Sequence, residues 1–121
     1  MTLILVVDDD LDSRESLAAL LRSGGYAVAT AANGHEAHQW LINTTELPSI
    51  ILLDLIMPVM DGWHFRWYQV QHAEFARIPV VVLSGESDVR EVATSLGATG
   101  YLSKPIDPTS LLGTLQRAYP S

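Results

Sequence analysis

Residues 50–54 read Ile-Ile-Leu-Leu-Asp, an unbroken apolar run that ends in a carboxylate. A second run, Val80-Val81-Val82-Leu83, ends in Ser84. A strand with one side in solvent alternates apolar and polar residues, whereas continuous apolar runs are typical of parallel strands covered on both faces. The two runs therefore predict the centre of a parallel β-sheet with helices on each side.

Outward from this centre, the sequence predicts three further strands and a helix after each of the five. The predicted strands are Leu3–Val7, Tyr26–Thr30, Ile50–Leu53, Ile78–Leu83 and Thr99–Leu102. Apolar residues recur at helical spacing between them, and two helices begin with capping patterns, Asn33 with Glu36 and Asp107 with Pro108. Five βα units joined by right-handed crossovers give an α/β fold, a doubly wound (βα)5 open parallel sheet with helices on both faces.

The predicted third helix, within Met60–His72, fits this pattern least well. It contains four of the nine aromatic residues of the chain, Trp63, Phe65, Trp67 and Tyr68. Two interpretations stay open at this point. The rings either pack on the sheet, since aromatic side chains cover much area, or form a surface that binds a partner.

Composition narrows the class of protein. The chain has 121 residues, 14 acidic against 7 basic, a formal net charge of −7 and no cysteine. The charge disfavours binding to nucleic acid or anionic membrane surfaces, and the lack of cysteine excludes disulfides and thiolate metal sites. No apolar stretch approaches the ~20 residues of a membrane-spanning helix, and no secretion signal is recognisable. We expect one domain over residues 1–121, without an output domain in this chain, located in the cytoplasm.

Polar residues follow four of the five predicted strands. They are Asp8 and Asp9 after the first, Asp54 after the third, Ser84 after the fourth and Lys104 after the fifth. Parallel strands end at one edge of the sheet, where open α/β folds bind ligands, so we expect these side chains in one pocket. Taken alone, each aspartate is better explained as a helix cap, the serine as a turn residue and the lysine as solvated, and Asp10 is interpreted as a cap or a residue of the first helical turn.

The chemistry of this set indicates phosphoryl transfer. Carboxylates as close as Asp8, Asp9 and Asp54 raise each other's pKa unless a cation joins them, and an all-oxygen ligand set suits Mg²⁺. Lys104 and Ser84 suit the remaining oxygens of a transferring phosphoryl group. Asp54, held by its strand, is the predicted nucleophile, and an ionised carboxylate needs no histidine as a base.

The same residues resemble a response-regulator receiver domain of the CheY-like superfamily, over essentially the whole chain. The stretches that carry the resemblance are Val6-Val7-Asp8-Asp9, Asn33-Gly34-His35-Glu36-Ala37, Asp54-Leu55-Ile56-Met57-Pro58-Val59-Met60-Asp61-Gly62, Leu83-Ser84 and Leu96-Gly97-Ala98-Thr99-Gly100-Tyr101-Leu102-Ser103-Lys104-Pro105. The resemblance implies a flavodoxin-like sheet with strand order 2-1-3-4-5.

For the site, the resemblance implies that Asp54 accepts a phosphoryl group from a phosphohistidine. The donor would be a sensor histidine kinase or a histidine phosphotransfer protein of a two-component or phosphorelay system. Asp9, Asp54 and the backbone carbonyl of Ile56 would bind Mg²⁺, with Asp8 acting largely through water.

The resemblance also implies a conformational switch. Ser84 and Lys104 would hold the phosphoryl oxygens, and a shift of Ser84 and Tyr101 would remodel the surface of the predicted fourth helix, fifth strand and fifth helix. A downstream effector or output domain would bind there. The Lys104–Pro105 peptide bond would be cis, which an X–Pro bond permits. The chain is thus predicted to be a signalling phosphoacceptor rather than a turnover enzyme, and a homodimer is left open.

Two departures from the family pattern affect these expectations. Arg66 and Gln69 stand in the third helix where relatives usually have apolar residues. Ile56 and Glu86 flank the route of a hydrolytic water, and the branched apolar Ile56 predicts slow self-dephosphorylation.

Two other functions remain open from the sequence. A Mg²⁺-dependent phosphohydrolase could form the same aspartyl phosphate, but the short connections leave no substrate-binding cap. A receiver-like interaction module without phosphorylation is disfavoured by the intact acidic set. His35 and His38, three residues apart on one predicted helix, are interpreted as solvated surface rather than as metal ligands.

Overall fold

The computed structural model describes residues 2–55, 62–85 and 89–119. Its strands are β1 Leu3–Val7, β2 Ala27–Ala31, β3 Ile50–Asp54, β4 Val80–Ser84 and β5 Gly100–Ser103. Its helices are α1 Leu11–Ser23, α2 Gly34–Asn43, α3 Gly62–Gln71, α4 Ala73–Ala76, α5 Val89–Leu96 and α6 Pro108–Ala118. The four-residue α4 is not predicted from the sequence, so the predicted fourth and fifth helices are α5 and α6. Within the described ranges no helix combines the length and apolarity needed to cross a bilayer.

The five strands are parallel and lie in the order β2-β1-β3-β4-β5. The register sets Val6 beside Leu52 and Leu53 beside Val82. The predicted doubly wound α/β fold and its strand order are confirmed. The order reverses direction between β1 and β3, and a ligand crevice is expected beyond the carboxyl ends of strands at such a point.

Alternate side chains of each central strand enter two apolar layers. Leu5 and Val7 pack with residues of α2, α3, α4 and α5, whereas Ile4 and Val6 pack with α1 and α6. Every residue of β3 and β4 is buried, which explains their unbroken apolar runs. Full burial of one such side chain contributes about 1.5–3 kcal/mol. The strands that carry the site are therefore firmly held between helices.

The predicted capping residues begin their helices as expected. Asn33 accepts a hydrogen bond from the N–H of Glu36 at 2.9 Å, and the Glu36 carboxylate accepts one from the N–H of Ala32 at 3.1 Å. Asp107 accepts one from the N–H of Ser110 at 2.9 Å. The bonds accepted by Asn33 and Asp107 satisfy amide groups that the first turn of a helix leaves unpaired, and the bond accepted by Glu36 pairs the amide just before the cap.

Helix α3 divides its aromatic residues between core and surface. Phe65 is fully buried, whereas Trp67 is 58% exposed and Tyr68 is also exposed. The Trp67 and Tyr68 rings meet edge to face, with centroids 5.2 Å apart. The packing interpretation therefore holds for Phe65, and a partner for the two outer rings remains a prediction.

Gln69 explains how α3 can carry a polar residue on its inner face. Its side chain is fully buried, and Nε2 donates to the carbonyl oxygens of Phe75 at 2.8 Å and Ile78 at 3.2 Å. Its Oε1 accepts a bond from Nη1 of Arg66 at 3.0 Å. Because each polar atom of the Gln69 side chain is paired, the departure from an apolar pattern fixes α3 to the segment around α4.

Candidate functional site

The chemistry-bearing residues stand where four strands end. Asp8 directly follows β1, Asp54 is the last residue of β3, Ser84 is the last residue of β4, and Lys104 directly follows β5. The N–H of Lys104 donates to the carbonyl oxygen of Ser84 at 2.9 Å, which extends the β4–β5 pairing to this point. The parallel sheet thus presents all four residues at one edge.

Three carboxylates lie close together at this edge of the sheet. One oxygen each from Asp8, Asp9 and Asp54 falls within 4.8 Å of the others. Asp8 is fully buried and Asp54 is 7% exposed, whereas Asp9 is exposed. The cluster therefore has a rigid inner part and one side open to solvent.

Lys104 joins the two buried carboxylates. Its Nζ lies 3.2 Å from Oδ2 of Asp8 and 3.3 Å from Oδ2 of Asp54. Burial would lower the pKa of Lys104, but the negative charges of Asp54 and Asp8 outweigh it and raise the pKa above its usual value. Lys104 is therefore a cation at physiological pH, aimed at the space beside Asp54. The peptide bond that follows it, Lys104–Pro105, is cis, as the resemblance implies.

Asp8 is held by Asp10, which the sequence predicts only as a helix cap, and by Ser13 and Arg14, for which the sequence makes no prediction. Oδ1 accepts from the N–H of Asp10 at 3.0 Å, Oδ2 accepts from Oγ of Ser13 at 2.9 Å, and the Asp8 carbonyl accepts from Nη1 of Arg14 at 2.9 Å. Burial alone would raise the pKa of Asp8, but the Asp10 N–H, Lys104 and Ser13 outweigh it, so the pKa lies below its usual value. Asp8 is therefore a fixed anion. A serine in the first turn of a helix carries no pattern that would have identified it in advance.

The predicted switch residues occupy different environments. Ser84 is buried at the end of β4, whereas Tyr101 in β5 is 42% exposed. Ile56, predicted to offer its carbonyl to Mg²⁺, and Glu86, predicted to flank the path of water, lie outside the described residues.

Comparison with known proteins identifies the family. A family model described as response regulator receiver domain matches residues 4–116. This chain belongs to the response-regulator receiver family. The receiver is therefore part of two-component signalling, in which such domains act as phosphoacceptors that work with sensor histidine kinases and output domains.

Individual relatives agree with this assignment. The receiver is 35% identical over 116 residues to the transcriptional regulatory protein GltR of Pseudomonas aeruginosa and 38% identical over 111 residues to the response regulator Rre1 of Synechocystis. These matches cover 93% and 89% of the chain and 47% of each relative, so the receiver spans about half the length of these curated relatives. The structure of the chemotaxis protein CheY4 of Vibrio cholerae superposes with a TM-score of 0.85 at 35% identity, covering 98% of both chains.

The acidic pocket of the receiver fits a magnesium ion, which receiver domains generally bind. The ammonium of Lys104 contacts two of the three carboxylates, those of Asp8 and Asp54, so a divalent cation would complement the charge of the cluster. Carboxylate oxygens with an open side for water, as at Asp9, are the surroundings that Mg²⁺ prefers. The residues present therefore match the ion in charge and in ligand type.

The histidines of the receiver are arranged differently from the sequence-based interpretation. His35 is exposed as expected, but His38 is partly buried against a neighbouring helix rather than solvated. Its ring centroid lies 5.2 Å from that of Tyr68 and 5.9 Å from that of His72. Its Nδ1 is buried and has no hydrogen-bond partner among the described residues. The packing of α2 on α3 causes this difference.

Proposed function

We propose that this receiver is a cytoplasmic phosphorylation switch in which Asp54 accepts a phosphoryl group from the phosphohistidine of a sensor histidine kinase or histidine phosphotransfer protein. The observation that carries the proposal is the position of Asp54. It ends a fully buried strand, lies 3.3 Å from the ammonium of Lys104, and shares its pocket with two further carboxylates.

The proposed reaction is a direct displacement at phosphorus. A carboxylate oxygen of Asp54 forms the new bond to phosphorus while the phosphorus–nitrogen bond of the phosphohistidine breaks. The electron pair of that bond stays on the imidazole nitrogen. No proton has to leave Asp54, because an ionised carboxylate is already the nucleophile.

The neighbouring residues supply the charge balance. Asp9 and Asp54, with the carbonyl of Ile56, would hold Mg²⁺, and Asp8 would act on it through water. A bound Mg²⁺ would neutralise negative charge on the phosphoryl oxygens. Lys104 would neutralise charge on another oxygen, and the hydroxyl of Ser84 would donate to a third.

The exposure of Tyr101 in β5 supports a switch surface on this side of the protein. A groove of about 540 Å³ lies beside it between β5 and α6, lined by Thr99, Tyr101, Ser110, Thr114 and Arg117 among others. We assign this face, together with α5, to the downstream effector or output domain. A new dianionic group at Asp54 would bias this face between two packed arrangements.

Labelling with a small phosphodonor tests the proposal without a known kinase. Acetyl phosphate with Mg²⁺ should attach one phosphoryl group per molecule of wild type and of Asp12→Asn, an exposed acidic residue of α1. Asp54→Asn, or wild type with the metal chelated, should take up none. Stoichiometric label in Asp54→Asn would refute the acceptor, and absence of label in wild type would favour an unphosphorylated interaction module. Multiple turnover of phosphomonoesters would favour the phosphohydrolase.

A further inference from the structure

Ser13 shares with Lys104 a single oxygen of Asp8. The Ser13 hydroxyl donates to Oδ2 of Asp8 at 2.9 Å, and Nζ of Lys104 lies 3.2 Å from the same atom. The N–H of Asp10 occupies Oδ1 at 3.0 Å. Because Asp8 is fully buried, its carboxylate depends on these donors rather than on bulk water.

Hydrogen bonds hold both the backbone and the side chain of Ser13. It is the third residue of α1, and its N–H donates to the capping carboxylate of Asp10 at 2.8 Å. The cap therefore holds the backbone of Ser13 while the hydroxyl is directed at Asp8. The hydroxyl is a preorganised donor that needs no rearrangement when the site changes.

Phosphorylation of Asp54 would change the groups with which the ammonium of Lys104 pairs. In the unmodified protein its ammonium is divided between Asp8 and Asp54, at 3.2 and 3.3 Å. A phosphoryl group on Asp54 adds strong acceptor oxygens that attract the ammonium. As Lys104 turns to them, Asp8 loses part of its direct cationic partner, and the proposed Mg²⁺ would reach Asp8 only through water. Among the described residues, the Ser13 hydroxyl is then the remaining direct side-chain donor to Oδ2 of this buried carboxylate.

We propose that Ser13 is a positioning residue for phosphoryl transfer, whose hydroxyl keeps Asp8 paired and oriented while Lys104 moves to the phosphoryl group. The inference rests on the proposed function of Asp54. Ser13 acts through Asp8 and Lys104 and does not itself touch the reacting atoms.

A matched pair of variants isolates the hydroxyl. Ser13→Thr keeps it, whereas Ser13→Val has nearly the same shape as threonine and the same β-branching but no donor. Ser16→Val, at an exposed serine one turn along α1, is the control for introducing valine into this helix. The measurements are the initial rate of labelling by acetyl phosphate at saturating Mg²⁺ and the affinity for beryllofluoride, a non-covalent phosphoryl mimic, followed by NMR.

We expect Ser13→Val to lower the labelling rate and the beryllofluoride affinity by roughly three- to tenfold, the effect of removing one hydrogen bond of typical net strength, because Ser13 acts on the reacting atoms only through Asp8 and Lys104. Ser13→Thr and Ser16→Val should behave as wild type. The folded fraction of each variant is measured by circular dichroism at the assay temperature, because a merely structural role would change that fraction and leave labelling per folded molecule unchanged.

Equal labelling of Ser13→Val and Ser13→Thr per folded molecule would overturn the role of Ser13 and leave the acceptor untouched. If wild type itself takes up neither label nor beryllofluoride, the proposed function fails first, and the role of Ser13 fails with it. Should Ser13→Val fail to fold, Ser13→Ala against Ser13→Thr makes the same comparison.

Discussion

Nε of Arg66 donates to the carbonyl oxygen of Leu96 across 3.0 Å and thereby joins α3 to the C-terminal end of α5. Nη2 of the same guanidinium donates to the carbonyl oxygen of Gly97 at 3.2 Å. The last carbonyls of a helix lack partners within it and carry the negative end of its dipole, so a cation there is stabilising. Burial lowers the pKa of Arg66, yet an arginine stays charged at physiological pH.

Loss of this contact should destabilise the protein. Arg66→Met removes the charged donor but keeps an unbranched apolar stem, and we expect the free energy of unfolding to fall by about 1.5–3 kcal/mol. Arg90→Met, at an exposed arginine of α5, is the control and should change it little. Urea unfolding measures both, and equal effects of the two substitutions would contradict a specific role for Arg66.

Gln69 and Arg66 should act as one unit. Gln69→Met keeps the volume of the side chain but leaves buried carbonyl groups of Phe75 and Ile78 without its amide, which should cost about 1–3 kcal/mol. In a double-mutant cycle, Arg66→Met and Gln69→Met together should cost less than the sum of the single variants. Gln71→Met, at an exposed position, is the control. Additive costs would show that the bond between the two side chains contributes nothing.

Stability at mildly acidic pH should depend on His38. Burial, followed by the nearby His72 and His35, lowers the pKa of His38 in the folded protein. In the unfolded chain a histidine has a pKa of about 6.5, so the unfolded state binds more protons than the folded state as the pH falls. The contribution of neutral His38 to the free energy of unfolding is therefore fully present above that pH and decreases as the pH drops below it.

We expect His38→Gln to lose less stability than wild type when the pH is lowered from about 7.5 to about 5.5, because glutamine does not bind a proton at this position. His64→Gln, at an exposed histidine of α3, should keep the loss seen in wild type. Unfolding curves at the two pH values give the comparison. A pH dependence that is the same in His38→Gln and in wild type would reject this explanation.

Asp9 should link stability to magnesium. Asp9→Asn removes one of three carboxylates within 4.8 Å, so the metal-free protein should be at least as stable as wild type. Wild type should gain about 2.7 kcal/mol at a Mg²⁺ concentration one hundred times its Kd. Asp9→Asn should gain much less, whereas Asp12→Asn should gain as wild type does. The same Mg²⁺-dependent rise in Tm in Asp9→Asn would remove Asp9 from the ligand set.

The sequence predicts the strands, the topology and the pocket residues, because each of these depends on a local sequence pattern. The buried runs of β3 and β4 are continuous because both faces of the sheet are covered, and the order of elements then limits the topology to few choices. Asp54 and Lys104 could be placed in one pocket, although fifty residues separate them, because both stand at carboxyl ends of parallel strands.

The remaining features depend on side-chain positions that no local pattern encodes. Arg66 meets Leu96 and Gly97 thirty residues away, and Ser13 reaches Asp8 only through one orientation of its hydroxyl. The break between α3 and α4 occurs at His72, which begins α4 without a side-chain cap, so no capping motif marks it. Tertiary contacts decide such details.

Chemical location of the modified residue tests directly whether Asp54 is the phosphoacceptor. Borohydride reduces an aspartyl phosphate to homoserine, which peptide mass spectrometry assigns to a position. After labelling with acetyl phosphate and Mg²⁺, homoserine should be found at position 54 and at neither Asp8 nor Asp9. Homoserine at either of those two positions in place of Asp54 would show that Asp54 is not the phosphoacceptor.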